Sequence, residues 1–170
     1  MQIKKKLKKG FTLLELLLYI SLYSILMMSV VSVLLMILQV RVKNKTIAEV
    51  DQQGIQIMQM MTQKIRNANV INTPATGATG NSLSLDMPGT TNDPTIFDVT
   101  NGQVRIKEGS GNYIVLNNSL VTVSNFSISN LSRANTHGNI RVEFTITYTN
   151  TTGRSEYDYS KTFVADASLR

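Results

Sequence analysis

One carboxylate, Glu15, stands at the start of a long apolar stretch, five residues after Gly10. A charge inside a membrane-spanning helix is costly, and such residues usually face a partner. Cleavage of the peptide bond after Gly10 would give Phe11 a new ammonium group, four residues before this acid. The acid of one chain could then neutralise the amine of a neighbouring chain, and removing one partner would leave an unpaired buried charge. The spacing therefore predicts a role for Glu15 in subunit assembly.

A second interpretation of Glu15 is local. The first-turn amides of a helix favour an acid, because the helix dipole is positive at its N-terminus. Glu15 would then lie near the lipid headgroups and reach water, without a partner in another chain. The residues leave both interpretations open, and they differ in what a Glu15→Ala substitution would do to assembly.

Most of the net positive charge lies just before Gly10. Of 17 basic residues five are in this cluster, which leaves 12 against 11 acidic residues in the rest of the chain. Nucleic-acid binding is therefore not predicted, because a binding face needs basic residues spread over the folded surface. Positive residues stay on the cytoplasmic side of a membrane, so the cluster predicts a cytoplasmic N-terminus. The residues of this cluster are Lys4, Lys5, Lys6, Lys8 and Lys9.

Catalytic and metal-binding patterns are missing from the sequence. The one histidine, His137, lies in a loop-like segment, whereas catalysis and zinc binding need convergent partners. The spacing of Asp86, Asp93 and Asp98 matches no EF-hand loop. The chain has no cysteine, which excludes disulfides and thiol chemistry. We therefore expect a protein that is not an enzyme and that has no catalytic residues, no cofactor, no metal and no small-molecule substrate.

The chain divides into three zones that must position the residues named above, and residues 11–40 form the first zone. From Leu16 to Leu38 there are 23 residues without a charge. At about 1.5 Å per residue, a helix of this length covers roughly 35 Å, and the hydrocarbon core of a bilayer is about 30 Å thick. The zone predicts a single membrane-spanning helix, followed by residues outside the membrane. Arg41, Lys43 and Lys45 follow this span and weaken the charge asymmetry.

Residues 41–71 predict an amphipathic continuation of the same helix. Apolar or small residues recur there in steps of three or four, which is the period of an α-helix, with polar residues between them. We expect this stripe to pack on the chain's own globular domain. Its members are Ile47, Val50, Gly54, Ile57, Met61, Ile65 and Ala68.

Residues 72–170 change to a β-rich pattern. A loop rich in Thr, Gly and Ala occupies 72–82, and short alternating segments follow it. Asn101-Gly102 between two of them favours the positive φ values of a type I′ hairpin turn. These features predict an antiparallel β-sheet packed on the second half of the helix. The fold class is α+β, with 1–10 as a separate basic leader.

The segment KKGFTLLELL (residues 8–17) resembles the processing site of type IV prepilins and type II secretion pseudopilins. A secretory signal peptide has an apolar region of about 7–15 residues and a small-residue cleavage site, and this chain has neither. The resemblance implies a pilin-like fold and cleavage after Gly10 by a membrane peptidase. It also implies N-methylation of Phe11 by that enzyme, and Glu15 matches the family's acid.

Residues 50–71 are similar to the corresponding stretch of larger minor pilins and of pseudopilin J. The matching positions are Gln53, Gly54, Ile65, Arg66 and Ala68. Many major pilins have a proline in mid-span, and this span has none. The resemblance thus favours a minor subunit over a major, filament-forming one.

The function implied by the resemblance is that of a structural subunit of a type IV pilus or pseudopilus. Such filaments serve motility, DNA uptake, adhesion or secretion. The implied partners are other pilin subunits, the prepilin peptidase, an assembly platform protein and an assembly ATPase, with membrane lipid around the helix before assembly. The implied location is the cytoplasmic membrane, then the filament at the cell surface. The alternatives are an uncleaved, membrane-anchored adhesin that keeps Met1, and, less favoured, an anchored enzyme.

Overall fold

The computed structural model describes residues 12–133 and 136–170. These residues form two compact units that divide between Arg41 and Val42. One helix, α1 (Leu13–Asn67), begins in the first unit and ends in the second. The two units are described separately below.

The first unit consists of the N-terminal part of α1. Every described residue from Thr12 to Arg41 is exposed, although most are apolar. Several serine hydroxyls donate to backbone carbonyls of the preceding turn, such as Ser24 Oγ to the Ile20 oxygen at 2.7 Å. These bonds leave the helix surface less polar than its composition suggests. The helix is long and apolar enough to cross a membrane.

In the second unit, one face of α1 is buried. The predicted stripe is confirmed, except that Thr46 is buried and Ile47 is only half-buried. The Thr46 hydroxyl donates to the Val42 carbonyl, which satisfies it at this buried position. The buried residues of α1 are Thr46, Val50, Gly54, Ile57, Met61 and Ile65.

The strands form two antiparallel sheets, where the sequence predicts one. The predicted packing of the helix against antiparallel β-structure is confirmed, and the class is α+β. The first sheet has the order β1 (Val70–Thr73), β3 (Ser82–Asp86), β4 (Thr95–Thr100), β5 (Gln103–Glu108) and β6 (Ile114–Val115). The second has the order β2 (Thr79–Gly80), β7 (Val121–Asn130), β8 (Asn139–Tyr148) and β9 (Ser160–Ser168).

The helix ends earlier than the periodicity predicts, at Asn67 instead of residue 71. Val70 and Ile71 belong to β1, where they pair with Asp86 and Leu85. Both are β-branched residues, which fit a strand better than a helix end. The segment read as the loop 72–82 therefore begins inside a strand.

The predicted hairpin at Asn101-Gly102 is confirmed. The two residues have φ values of 54° and 74°, and they connect β4 and β5 with Thr100 paired to Gln103. The alternating pattern of the sequence also predicts a last strand at 156–165, but β9 spans Ser160–Ser168. Residues Ser155–Tyr157 instead form a short 3-10 turn, in which the Tyr157 ring stacks on Tyr148.

Asn117 joins the two sheets. Its Oδ1 accepts a hydrogen bond from the Val104 amide of β5 at 2.8 Å. Its Nδ2 donates to the Val121 carbonyl of β7 at 3.0 Å. The residue is almost fully buried, so these bonds satisfy backbone groups that water cannot reach. Phe97 and Phe144 complete the core between the sheets and α1, and neither is exposed.

Candidate functional site

The predicted assembly residue Glu15 lies in the first turn of α1 and is exposed. Its backbone amide donates to the Thr12 side-chain oxygen at 3.3 Å. Thr12 and Glu15 occupy the Ncap and N3 positions of a Thr-x-x-Glu capping pattern. Within the described residues no basic group forms an ion pair with the Glu15 carboxylate. The local geometry therefore assigns Glu15 a helix-starting position and leaves its carboxylate unpaired.

The other predicted site residues lie outside the described residues. They are Gly10 and Phe11, predicted for cleavage and methylation, and the leader residues Lys4, Lys5, Lys6, Lys8 and Lys9. The predicted pairing between Glu15 and a neighbour's Phe11 amine stays a prediction for the same reason.

The surface that follows Glu15 is apolar on all sides. Leu14 is 74% exposed and Met28 is 78% exposed, and large apolar side chains between them and up to Val40 are also exposed. Soluble monomers rarely expose continuous apolar patches of more than a few hundred Å². This part of α1 carries no arrangement for chemistry. Its surface suits hydrocarbon, supplied either by lipid or by other apolar helices.

Gly54 has a specific packing role. A Cβ added at Gly54 would lie 2.1 to 2.6 Å from three ring atoms of Phe163 on β9. The ring therefore contacts the helix backbone directly, and it also stacks on Phe144 at a centroid distance of 5.7 Å. Ile65 and Ala68, two further positions of the resemblance, are buried. These three positions are explained by packing.

Gln53 and Arg66, the remaining positions of the resemblance, differ in their contacts. Gln53 Nε2 donates to Glu49 Oε1, and Asn118 Nδ2 donates to the same oxygen at 2.6 Å. This small network fastens α1 to the segment before β7. Gln53 Oε1 is buried and has no hydrogen-bond partner among the described residues. Arg66 is exposed, and within the described residues its guanidinium has neither a hydrogen bond nor an ion pair.

A groove of about 800 Å³ lies beside the C-terminal end of α1. Its walls come from the last turns of α1, the segment after β3, strands β5 and β6, and Arg170. Lys64 and Glu108 form an ion pair at its rim. The sequence carries no signal for this groove, because its residues come from separate segments that only the tertiary fold brings together.

The aspartates considered for metal binding are held apart. Asp98 accepts two hydrogen bonds of 2.8 Å from Arg105, and Asp93 accepts one from the Met87 amide. His137 is exposed. Across residues 12–133 and 136–170, no group of three or more His, Cys, Asp or Glu residues could hold a metal ion.

Ion pairs elsewhere on this unit stabilise the sheets. Arg141 on β8 and Asp166 on β9 face each other in register, with two hydrogen bonds of 2.8 and 3.0 Å. The hydrogen bond from Arg141 lowers the pKa of the Asp166 carboxyl below its usual value. Lys161 on β9 binds Asp51 on α1 at 2.9 Å and connects the strand to the helix.

Comparison of the chain with protein-family models, with curated proteins and with solved structures gives no match.

Proposed function

We propose that this chain is a minor pilin or pseudopilin, a structural subunit of a type IV pilus or a type II secretion-like filament. It is processed after Gly10 and assembles through its apolar N-terminal helix. One observation carries the proposal: Gly10, Phe11 and Glu15 have prepilin spacing, directly before a helix whose surface is apolar on all sides. Cleavage there leaves the helix attached, so that it remains available for assembly.

The apolar circumference of the helix supports a role in two environments. In the membrane it faces lipid, where the intrahelical serine bonds avoid unsatisfied hydroxyls. In a filament the same side chains face neighbouring helices, since lipid tails and leucine side chains are similarly apolar. Transfer of the helix from the membrane to the filament then has a small free-energy cost for these side chains.

In this proposal Glu15 sets the axial position of the incoming subunit. Its carboxylate has no partner among the described residues, and a neighbour's Phe11 ammonium would supply one. In a water-poor filament core an unpaired carboxylate is strongly disfavoured, so only one stagger of the two helices satisfies both charges. The subunit waits in the cytoplasmic membrane with its N-terminus in the cytoplasm. Its partners are the prepilin peptidase, other pilins, a platform protein and an assembly ATPase.

The mass of the mature N-terminus tests the proposal. Protein extracted from the membranes of its native host is expected to begin at a methylated Phe11. A Gly10→Leu variant should keep the leader, because it removes the glycine that the motif places at the cut, whereas a Lys6→Gln control should still be trimmed. An intact leader on the wild-type chain would contradict the proposal and favour the uncleaved, membrane-anchored adhesin.

A matched pair of variants separates the two interpretations of Glu15. Glu15→Ala removes the charge and should be trimmed normally but fail to crosslink to neighbouring subunits. Thr12→Ala removes the side-chain oxygen that caps the helix but keeps the Glu15 carboxylate, and should still crosslink. If Glu15→Ala crosslinks at wild-type levels, the carboxylate has no assembly role and acts only at the helix start.

A further inference from the structure

The groove beside the end of α1, here called the helix-end groove, is a candidate binding site that the proposed function does not use. It has a volume of about 800 Å³ and is open to solvent along one side. Ligand pockets usually measure about 300–1,000 Å³ and combine an apolar lining with a few polar groups. The helix-end groove has both components.

The apolar wall of the groove is incompletely covered. Met60, Ile106 and Leu116 contribute to it from α1 and the first sheet. Ile114 on β6 also lines it and is 62% exposed, although isoleucine is among the residues most often buried. An apolar side chain from a partner would remove this surface from water, at about 25 cal/mol per Å² of apolar area.

The charges at the groove are unbalanced. Lys64 and Glu108 neutralise each other in an ion pair. Arg66 and Arg170 also line the groove, and no described carboxylate lies within ion-pair distance of either guanidinium. Guanidinium groups recognise carboxylates through paired hydrogen bonds, which are roughly twice as strong as neutral ones. The groove therefore complements a partner that is both apolar and anionic.

The ordinary explanation of Arg66 is a solvated cation in the last turn of a helix, where the dipole favours it by about 0.3–1 kcal/mol. That explanation does not apply to Arg170, which lies outside α1 and reaches the same groove. Two smaller depressions on the same surface also include Arg66 and Asn67 in their walls. Arg66 thus stands where three concave surfaces meet.

The backbone at the groove favours an extended occupant. Strand β6 is the last strand of its sheet, and it pairs only with β5 among the described strands. The free edge of such a strand can form main-chain hydrogen bonds with an added extended segment. Such a segment would place alternate side chains toward the groove.

We propose that the helix-end groove binds an extended segment of another protein that carries carboxylates beside apolar side chains. Arg66 and Arg170 bind the carboxylates, and the wall formed by Ile106, Ile114 and Leu116 receives the apolar side chains. The proposal concerns residues 42–170 alone and is independent of cleavage, methylation and filament assembly.

Binding of defined peptides to the full-length chain in uncharged detergent tests this proposal. The probe is a fluorescently labelled hexapeptide that alternates aspartate and isoleucine, and the readout is anisotropy. We expect saturable binding that Arg66→Gln weakens by about tenfold or more, which corresponds to the loss of one charged hydrogen bond. Ile114→Ser should also weaken it. The matched control is Arg133→Gln, which removes an exposed arginine away from the groove.

Three results would overturn the proposal. The first is no saturable binding of the aspartate peptide, or equal binding of a peptide that alternates lysine and isoleucine. The second is an unchanged affinity in Arg66→Gln, provided that its thermal unfolding matches that of the wild type. The third is self-association of the wild-type chain that Arg66→Gln abolishes, because a second copy would then occupy the groove. None of these results bears on the N-terminal mass, so the filament proposal is tested separately.

Discussion

The two parts of α1 differ in how their residues are used, although they belong to one helix. From Leu13 to Arg41 every residue is exposed, and apolar side chains point in all directions. From Val42 to Asn67 only one stripe is buried, and most of the exposed positions carry polar or charged residues, with Ile55 as an apolar exception. Both segments have good helix formers, so propensity does not distinguish them. The placement of polar residues around the helix decides which surroundings each part requires.

This difference has an energetic consequence. A single apolar stripe on a helix is buried by one partner surface, and the chain's own sheets provide that surface. A helix that is apolar all round needs apolar surroundings on every side. The core of residues 42–170 consists mainly of residues from the second part of α1 and the strands. The second part of α1 therefore contributes to the stability of its own domain. The first part is long and apolar enough to cross a membrane.

The largest expected effect is the difference in stability between two isoleucine-to-alanine substitutions, one in each part of α1. Ile57 is 1% exposed in the core, whereas Ile25 is 69% exposed. Ile57→Ala should lower the free energy of unfolding by about 2–5 kcal/mol, because it removes buried methylene groups and leaves a cavity. Ile25→Ala should change it by less than about 0.5 kcal/mol. Chemical unfolding in detergent, followed by tyrosine fluorescence, measures both.

Equal destabilisation by the two alanine variants would contradict the difference in burial between the two parts of α1. It would mean that residues 13–41 contribute to the core of the same cooperative unit. A change in helix propensity affects both variants alike, so the difference between them reports burial alone.

The sequence predicts the two parts of α1 well, because one depends on a continuous apolar run and the other on a local 3.6-residue period. The buried stripe from Val50 to Ile65 follows from spacing alone, and the hairpin at Asn101-Gly102 follows from residues that tolerate positive φ. The division into two sheets did not follow, since it depends on long-range contacts such as those of Asn117. The helix-end groove has no sequence signal for the same reason. Cleavage after Gly10, methylation of Phe11 and the assembly role of Glu15 remain sequence predictions.

Gly54 allows a test of the packing at one position on the buried face of α1. The resemblance singles out this glycine, and the contact with the Phe163 ring gives it a physical reason. Gly54→Ala would force the ring away from its position against Phe144. Overpacking costs about 1–3 kcal/mol, and better helix propensity returns about 1 kcal/mol. We expect a net loss of up to about 2 kcal/mol in the free energy of unfolding.

A double-mutant cycle with Phe163→Leu tests whether the contact with the Phe163 ring explains the glycine at position 54. The smaller side chain should relieve the clash, so Gly54→Ala should cost less in the Phe163→Leu background than in the wild type. A matched control is Gln56→Ala, on the exposed face of the same helix. Additive effects of Gly54→Ala and Phe163→Leu would show that the glycine has another role.

The smallest expected effect is electrostatic and is confined to residues 42–170. Arg141 lowers the pKa of Asp166 on the exposed side of the second sheet. A carboxyl with a depressed folded-state pKa stabilises the protein fully above its unfolded pKa of about 3.9, and this contribution disappears as the pH falls through the folded value. Asp166→Asn should therefore lower Tm slightly at neutral pH, and the difference from wild type should close below about pH 4. Ile57→Ala should instead lower Tm at every pH in the range, because its effect comes from packing. A gap for Asp166→Asn that persists at low pH would mean that this pair, too, acts through packing and not through charge.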